Sequence, residues 1–255
     1  MRVIVSRLDP NSSMRLQTSG HMGIVTFDRP DRRNALTQSM WKQLEDWCTS
    51  LPPKVELFIL RGGGREFTAG SDIKEFATLS QSQANQAFEQ MERAISTVEN
   101  LDIPTVAVVN GPAYGAGFVL TLACDLRIGS QYASFGMPVG KLGITLQPPF
   151  IERMISHLGP SRTKEMVYTA KRYDAQTALQ IGLLNELTTE ERLDERAFEV
   201  ARSILGQSKA STSAVKRSVR SVLTEEHPKV GDWVDEFDFL EGVRAFNEKR
   251  SAHFR

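Results

Sequence analysis

Two segments decide the fold of this chain: Phe67-Thr68-Ala69-Gly70-Ser71-Asp72-Ile73 and Val109-Asn110-Gly111-Pro112-Ala113-Tyr114-Gly115-Ala116-Gly117. Each segment leaves an apolar run typical of a buried strand, passes through small residues and enters a helical pattern. Small residues let a backbone approach a ligand closely, and free N–H groups at a helix start stabilise negative charge. The two segments therefore predict one site in which two backbone turns hold a developing anion.

Composition limits the class of protein. The 255 residues are 40% hydrophobic and 24% charged, which is typical of a globular domain. Lys+Arg and Asp+Glu both number 31, so no net charge attracts nucleic acid or an anionic membrane. The two cysteines make no disulfide framework, and the four histidines lack metal-ligand spacing. No apolar run is long enough to span a bilayer and the N-terminus is too polar for a signal peptide, which predicts a cytoplasmic protein.

The order of apolar runs predicts α/β architecture. Strands are predicted at 3–8, 23–28, 55–60, 105–109 and 125–128, and helices at 83–99 and 117–124. Asn34 is predicted to cap a further helix through Met40, Leu44 and Trp47. Alternation of strand and helix favours parallel strands joined by right-handed crossovers.

The pattern from about Pro148 onward predicts helices alone, at 148–158, 161–169, 174–182, 191–206, 208–223 and 230–250. We therefore expect a β/α core over residues 1–190 and a helical C-terminal region over residues 191–255.

The two segments, in this order and at this spacing, resemble the crotonase superfamily, also called the enoyl-CoA hydratase/isomerase family. The resemblance covers about residue 15 to 255. It implies a crotonase (ClpP/crotonase-like) fold of repeated ββα units with a helical C-terminal part. By resemblance, the backbone N–H groups of Ser71 and Ala116 form the oxyanion hole for the carbonyl oxygen of an acyl-CoA thioester. The ClpP-type serine peptidases are disfavoured, because no Ser/His/Asp set accompanies a nucleophile-bearing turn.

The resemblance also implies contacts with coenzyme A. Carbonyl groups of Ala69 and Ile73 face the adenine, in the turn that also carries Asp72 and Lys74. Arg33, in Arg29-Pro30-Asp31-Arg32-Arg33-Asn34-Ala35-Leu36, and Lys249, in Phe246-Asn247-Glu248-Lys249-Arg250, are placed at the phosphates. A solvated basic loop and an exposed helix end are the alternative interpretations.

Oligomerisation follows from the resemblance as well. The last helices of such proteins close a CoA site, often in a neighbouring subunit, which implies a homotrimer or a dimer of trimers (a hexamer). The resemblance implies no metal, nicotinamide or flavin, and coenzyme A enters only as part of the substrate. The family's usual setting is fatty acid metabolism.

Val119 and Val139 stand where hydratases of the family carry their two catalytic glutamates. Hydration requires one group that takes a proton from water and one that protonates the α-carbon, and valine does neither. Asn110-Gly111 and Pro138 fix the register around both positions. Tyr114 and Gln147 are the candidate replacement groups, although a tyrosine packed by its ring is the competing interpretation of Tyr114.

Three functional interpretations remain open. The first is an acyl-CoA-processing enzyme of the lyase/isomerase class that uses the oxyanion hole with atypical acid and base groups, for decarboxylation, carbon–carbon cleavage or thioester hydrolysis. The second is a true hydratase or isomerase in which Glu75 or Asp125 supplies the relocated acid. The third is a CoA-binding protein without catalysis.

Overall fold

The computed structural model describes residues 13–224 and 232–254. Its strands are β1 (Met14–Ser19), β2 (Met22–Phe27), β3 (Leu57–Gly62), β4 (Thr105–Val109), β5 (Pro112–Tyr114), β6 (Leu126–Ser130), β7 (Ser134–Gly136), β8 (Arg172–Asp174) and β9 (Glu186–Thr188). Its helices are α1 (Gln38–Thr49), α2 (Ile73–Phe76), α3 (Gln81–Glu99), α4 (Ala116–Leu122), α5 (Pro148–Thr169), α6 (Ala175–Gln180), α7 (Glu190–Leu205), α8 (Lys209–Leu223) and α9 (Glu236–Glu248). The predicted strand at 3–8 lies outside the described residues.

A six-stranded sheet in the order β1-β2-β3-β4-β6-β9 forms the centre of the fold. Only β1 and β2 pair antiparallel, and each later pair of this sheet is parallel. Along β3, Leu57 and Ile59 face the side that α7 covers, whereas Phe58 and Leu60 face the larger core on the other side. Because both faces are covered, the strand is a continuous apolar run, as the sequence indicates.

A second sheet consists of three short strands and includes part of the second turn segment, residues Pro112–Tyr114. Strand β5 pairs parallel with β7, and β7 pairs antiparallel with β8. The segments 67–73 and 110–117 follow the adjacent parallel strands β3 and β4. Since parallel strands bring their carboxyl ends to the same edge, the two segments leave the sheet side by side.

The expectation of helices alone after Pro148 is wrong. Strands β8 and β9 lie in that region, where β9 adds the last strand to the main sheet beside β6. A strand of three residues is too short to show a period, so the sequence pattern did not reveal either one. The two helices predicted at 148–158 and 161–169 are present as α5, which is interrupted at Gly159, where φ is 74°.

Asn34 does not cap a helix. The hydroxyl of Thr37 accepts from the backbone N–H of Met40 and caps α1. Asn34 is instead fully buried with a φ of 52°, and its amide donates to the carbonyls of Gly63 and Glu66 at 2.8 and 2.7 Å. A short polar residue that tolerates the left-handed conformation can close a loop as well as cap a helix, and here it ties the 29–36 loop to the end of β3.

Membrane insertion by a helix finds no support in the described part of the chain. No helix there combines the length and the apolar character needed to cross a bilayer.

His157 gives the fold a pH dependence. Its Nε2 lies 3.2 Å from the carbonyl oxygen of Leu122, and burial together with the nearby charge of Arg127 lowers its pKa from 6.5 to about 4. Between these two values the unfolded chain binds a proton that the folded chain does not. The stabilising contribution is therefore complete above pH 6.5 and is lost as the pH falls towards 4.

We expect the free energy of unfolding of the native protein to fall more steeply between about pH 7 and pH 5 than that of His157→Gln. Glutamine still offers an N–H to the Leu122 carbonyl but does not titrate. Urea unfolding at both pH values measures the two slopes. Equal slopes would show that His157 titrates alike in both states.

Candidate active site

Backbone hydrogen bonds join the two segments directly. The N–H of Thr68 donates to the carbonyl of Pro112 at 3.2 Å, and the N–H of Tyr114 donates to the carbonyl of Thr68 at 3.1 Å. These bonds form a single parallel bridge between Thr68 and Ala113. The turn after β3 is thus held against the turn after β4 by main-chain contacts, whatever side chains the turns carry.

Glycine is required where the turns touch. A Cβ at Gly70, where φ is 94°, would lie 2.7 Å from the carbonyl oxygen of Tyr114 and 3.1 Å from the backbone nitrogen of Ala116. A Cβ at Gly117 would lie 2.7 Å from the carbonyl oxygen of Thr68. These carbonyl oxygens and this nitrogen belong to the backbone, so they cannot move aside as a flexible side chain would.

Two N–H groups at this junction are left without a partner. Among residues 13–224 and 232–254, neither the backbone N–H of Ser71 nor that of Ala116 donates a hydrogen bond. Ala116 is the first residue of α4, where an N–H has no intrahelical acceptor. The neighbouring amides are bonded within the fold: Ala69 to the Arg33 carbonyl, Gly70 to the Thr68 hydroxyl and Asp72 to the Leu36 carbonyl.

Both residues line a cavity of about 870 Å³. Side chains from the 137–150 segment give it one largely apolar wall: Met137, Val139, Leu142, Ile144, Leu146 and Phe150. Helix α3 gives it a more polar wall: Gln81, Asn85, Glu89, Glu92 and Arg93. Two free N–H donors in a partly apolar cavity can bind an oxygen that gains negative charge, and such bonds are stronger there than in water.

The hydroxyl of Ser71 is hydrogen-bonded within the fold. Its hydroxyl accepts from Trp41 Nε1 at 3.1 Å and donates to the sulfur of Met91 at 3.1 Å. The hydroxyl therefore anchors the turn to α1 and α3, and the group that Ser71 offers to the cavity is its N–H.

The two valines differ in position. Val139 lines the cavity, whereas Val119 is fully buried in the core on α4. Neither side chain can transfer a proton, so the proton-transfer groups of the site must lie elsewhere along its walls.

Tyr114 and Gln147 both line the cavity. The hydroxyl of Tyr114 lies 2.9 Å from the hydroxyl of Ser134, and the guanidinium of Arg172 lies 4.8 Å from the centre of its ring. Its ring is thus packed by a cation, and its hydroxyl is already hydrogen-bonded. Gln147 precedes the first turn of α5, and its backbone carbonyl accepts from the N–H of Phe150.

Of the residues expected in the turn at the adenine, two line the cavity and two do not. Ala69 and Ile73 line it, and Ile73 is an exposed apolar side chain. Asp72 caps α2 by accepting from the N–H of Lys74 at 3.2 Å, and it also pairs with Arg29 at 3.2 Å. The carboxylate of Asp72 is therefore used within the fold, while Lys74 is exposed.

The two cations expected at the phosphates are placed differently. Arg33 pairs with Glu66 at 2.7 Å, and this hydrogen bond raises the pKa of its guanidinium. Lys249 is exposed at the C-terminal end of α9, where its own φ is 53°. It is not among the residues that line the cavity within the described chain.

The relocated acids considered above are engaged elsewhere. The carboxylate of Asp125 accepts from the backbone N–H of Thr105 at 2.7 Å and from Lys216 Nζ at 2.9 Å, which ties α8 to the main sheet. Glu75 accepts from the backbone N–H of Gln38 at 2.8 Å. Neither residue lines the cavity that the described residues form, so the structure does not support a relocated acid at Glu75 or Asp125.

The cysteines are equally unsuited to nucleophilic chemistry. Burial raises the pKa of Cys48 and of Cys124 to about 12, so both thiols stay protonated at neutral pH.

The acidic residues of α3 escaped the sequence analysis. The helical spacing of Ala87, Met91 and Ala94, which are buried, predicts the helix, and the sequence analysis assigned no role to its polar residues. The polar residues Gln81, Asn85 and Glu89, spaced by four, form a stripe that in fact lines the cavity. The spacing of these three residues is visible in the sequence. The sequence does not show that the 137–150 segment lines the same cavity.

Comparison with known proteins gives one consistent result. A sequence profile of the enoyl-CoA hydratase/isomerase family matches residues 17–255. A crotonyl-CoA hydratase from Syntrophomonas wolfei is 30% identical over 250 residues, which cover 94% of this chain and 96% of that protein. An enoyl-CoA hydratase/carnithine racemase from Magnetospirillum magneticum superposes with a TM-score of 0.90 at 28% identity, over 96% of both chains.

A further similar structure contains a ligand. An enoyl-CoA hydratase candidate from Thermobifida fusca YX was solved in complex with acetoacetyl-CoA. It superposes with a TM-score of 0.76 at 28% identity, over 82% of this chain and 87% of that one.

Gly70→Ala tests whether the close approach of the two turns holds the site together. We expect it to lower the free energy of unfolding by about 3 kcal/mol or more, because a strained φ is combined with a backbone clash. Gly20→Ala is the matched control, since Gly20 also has a positive φ, 59°, but no atom within 4 Å of its Cβ position. The control should cost about 1 kcal/mol by urea unfolding, from strain alone. Equal losses in the two variants would contradict the close packing of the turns.

Proposed function

The chain belongs to the enoyl-CoA hydratase/isomerase family, and we propose that it binds an acyl-CoA thioester in the 870 Å³ cavity and stabilises an enolate or oxyanion formed there. The observation that supports the proposal is the pair of unpartnered N–H groups, those of Ser71 and Ala116, two residues that line that cavity. The acetoacetyl-CoA bound to the similar protein from Thermobifida fusca supports the choice of ligand.

In this proposal the thioester carbonyl oxygen accepts from both N–H groups. Negative charge that moves onto this oxygen strengthens both hydrogen bonds, so the transition state is stabilised more than the bound substrate. Removal of one such donor typically costs about 3–4 kcal/mol of transition-state stabilisation. The donors are fixed by main-chain contacts between the turns, so they need no reorganisation during the reaction.

The class of reaction follows from what can generate that charge. Removal of a proton from the α-carbon produces a thioester enolate, and so does loss of CO2 from a malonyl-type thioester. Attack of water on the carbonyl carbon, as in thioester hydrolysis, produces a tetrahedral oxyanion at the same place. Tyr114 and Gln147 serve in this proposal as neutral hydrogen-bond donors that orient the acyl group.

Coenzyme A is proposed to lie across the rim of the cavity. The carbonyls of Ala69 and Ile73 face its adenine, with Asp72 keeping the intervening turn closed through its cap on α2. The exposed Lys74 and Lys249 attract the phosphates, and Arg33 contributes if it exchanges Glu66 for phosphate. These cations stand at the surface, where salt screens them, so they tune affinity more than chemistry.

Assembly into a homotrimer or a dimer of trimers is proposed for the region over residues 191–255. Helices α8 and α9 carry large apolar side chains that are at least 46% exposed: Val215, Val219, Val222, Leu223, Phe237, Phe239, Leu240, Val243 and Phe246. A patch of this kind is unusual for a monomer and typical of a subunit contact. Such a contact would carry Lys249 towards the CoA site of a neighbouring copy. We place the assembled protein in the cytoplasm.

Ala116→Pro tests the role of one hydrogen-bond donor, the backbone N–H of residue 116. Proline removes the N–H, yet the first position of a helix tolerates it, since that N–H has no intrahelical acceptor. We expect turnover to fall about 100-fold to 1000-fold while the fold is kept. Mass spectrometry of product from crotonyl-, 3-hexenoyl-, methylmalonyl- and β-diketoacyl-CoA measures the rate.

Glu190→Pro is the matched control, because Glu190 is the first residue of α7, away from the cavity. It should leave turnover unchanged. Ala116→Pro with the activity of the parent protein would remove the oxyanion hole from the mechanism. Failure of calorimetry to detect binding of any of these thioesters by the parent protein would reject the proposed function as a whole.

A further inference from the structure

A buried arginine holds a carboxylate at the wall of the cavity. Arg153, on α5, is 7% exposed, and its Nη1 and Nη2 donate to Oε2 and Oε1 of Glu92, each at 2.9 Å. The hydroxyl of Ser96 also donates to Glu92 Oε1 at 2.7 Å. This two-pronged geometry fixes the plane of the carboxylate.

Glu99 binds the same arginine but does not line the cavity. Its Oε2 accepts from Nε and Nη2 of Arg153 at 2.9 and 2.7 Å. Among the described residues that line the cavity, Glu92 is present and Glu99 is not. The two glutamates therefore bind the same cation but differ in their access to the cavity, which makes Glu99 the structural comparison for Glu92.

Helix α3 places Glu92 in the wall of the cavity that the two residues with free N–H groups also line. Met91, one residue earlier, accepts through its sulfur from the Ser71 hydroxyl at 3.1 Å. The turn that carries one free N–H therefore packs on α3 at the position next to Glu92, and both Glu92 and Ser71 line the same cavity.

The other ionisable groups of the cavity wall are less suited to carry a proton. Glu89 is exposed to solvent, Arg93 offers hydrogen-bond donors but no acceptor, and the hydroxyl of Tyr114 is bonded to Ser134. Within the described lining, Glu92 is the one carboxylate that is both fixed by the fold and largely shielded from water, with 20% of its side chain exposed.

We propose that Glu92, held by Arg153, is the proton-transferring residue of this site and acts on the α-carbon of the bound acyl thioester. This inference rests on the proposed function, whose N–H groups receive the charge that the proton leaves behind. A 3-enoyl thioester, which carries a removable α-hydrogen, is the probe for this assignment.

The proton balance for a 3-enoyl thioester is simple. An oxygen of the Glu92 carboxylate takes the hydrogen from C2, and the electron pair of that C–H bond moves into the thioester to give the enolate. The carboxyl then returns the proton to C4 while the double bond moves to C2–C3. One carboxylate suffices, and neither water, an oxidant nor a reductant is consumed.

The test is deuterium incorporation at C2 of 3-hexenoyl-CoA in D2O, measured by mass spectrometry together with the formation of 2-hexenoyl-CoA. Glu92→Gln keeps an oxygen that accepts from Arg153 but cannot take the proton, so exchange and isomerisation should fall at least about 100-fold. Glu99→Gln is the matched control and should stay within about threefold of the parent protein. Calorimetric binding of the thioester should be retained in both variants.

Three results would overturn the proposal. They are parent-level exchange in Glu92→Gln, equal losses in Glu92→Gln and Glu99→Gln, and thioester binding by the parent protein without any exchange. In each case the proposed function stands, because the thioester is still bound, whereas absence of binding by the parent protein rejects the proposed function itself. Should Glu92→Gln fail to fold, Glu92→Asp replaces it. That variant keeps the charge but withdraws it by one CH2, so it should lose about tenfold, and an unchanged rate would again contradict the proposal.

Discussion

The close approach of two backbone turns is the constraint on which the rest of this structure depends. Gly70 and Gly117 let the turn after β3 pack against the turn after β4 with no side chain between them. The parallel pairing of β3 with β4 aligns the two turns, and the Thr68–Ala113 bridge fixes their separation. From this contact come the two free N–H groups, of Ser71 and Ala116, and hence a place where negative charge on an oxygen is stabilised.

The surroundings make those donors useful. Trp41 and Met91 hold the Ser71 hydroxyl, so the turn cannot rotate its N–H away from the cavity. One part of the cavity wall is largely apolar, which weakens competition from water, and another part carries a carboxylate fixed by Arg153. In the proposed mechanism, binding of the oxygen, exclusion of water and removal of a proton fall to different elements that line one cavity.

The sequence predicted the parts of the fold that depend on long, regular patterns. Continuous apolar runs predicted β3 and β4 because both faces of the sheet are buried, and the small residues around Gly70 and Gly117 predicted the junction. It did not reveal β8 and β9, whose three residues have no period. Nor did it reveal Glu92, because α3 shows one apolar face and the partner of its polar face, Arg153, comes some sixty residues later. Pairings between distant segments are properties of the packed chain and leave no local signal.

The central claim is that the two N–H groups polarise a thioester carbonyl, and vibrational spectroscopy tests it most directly. The measurement is the carbonyl stretch of hexanoyl-CoA labelled with ¹³C at C1, recorded as an infrared difference spectrum between free and protein-bound ligand. Two donors aimed at the oxygen weaken the C=O bond, so the account predicts a shift to lower wavenumber on binding. A bound thioester whose carbonyl absorbs as it does in water, or at higher wavenumber, would contradict it.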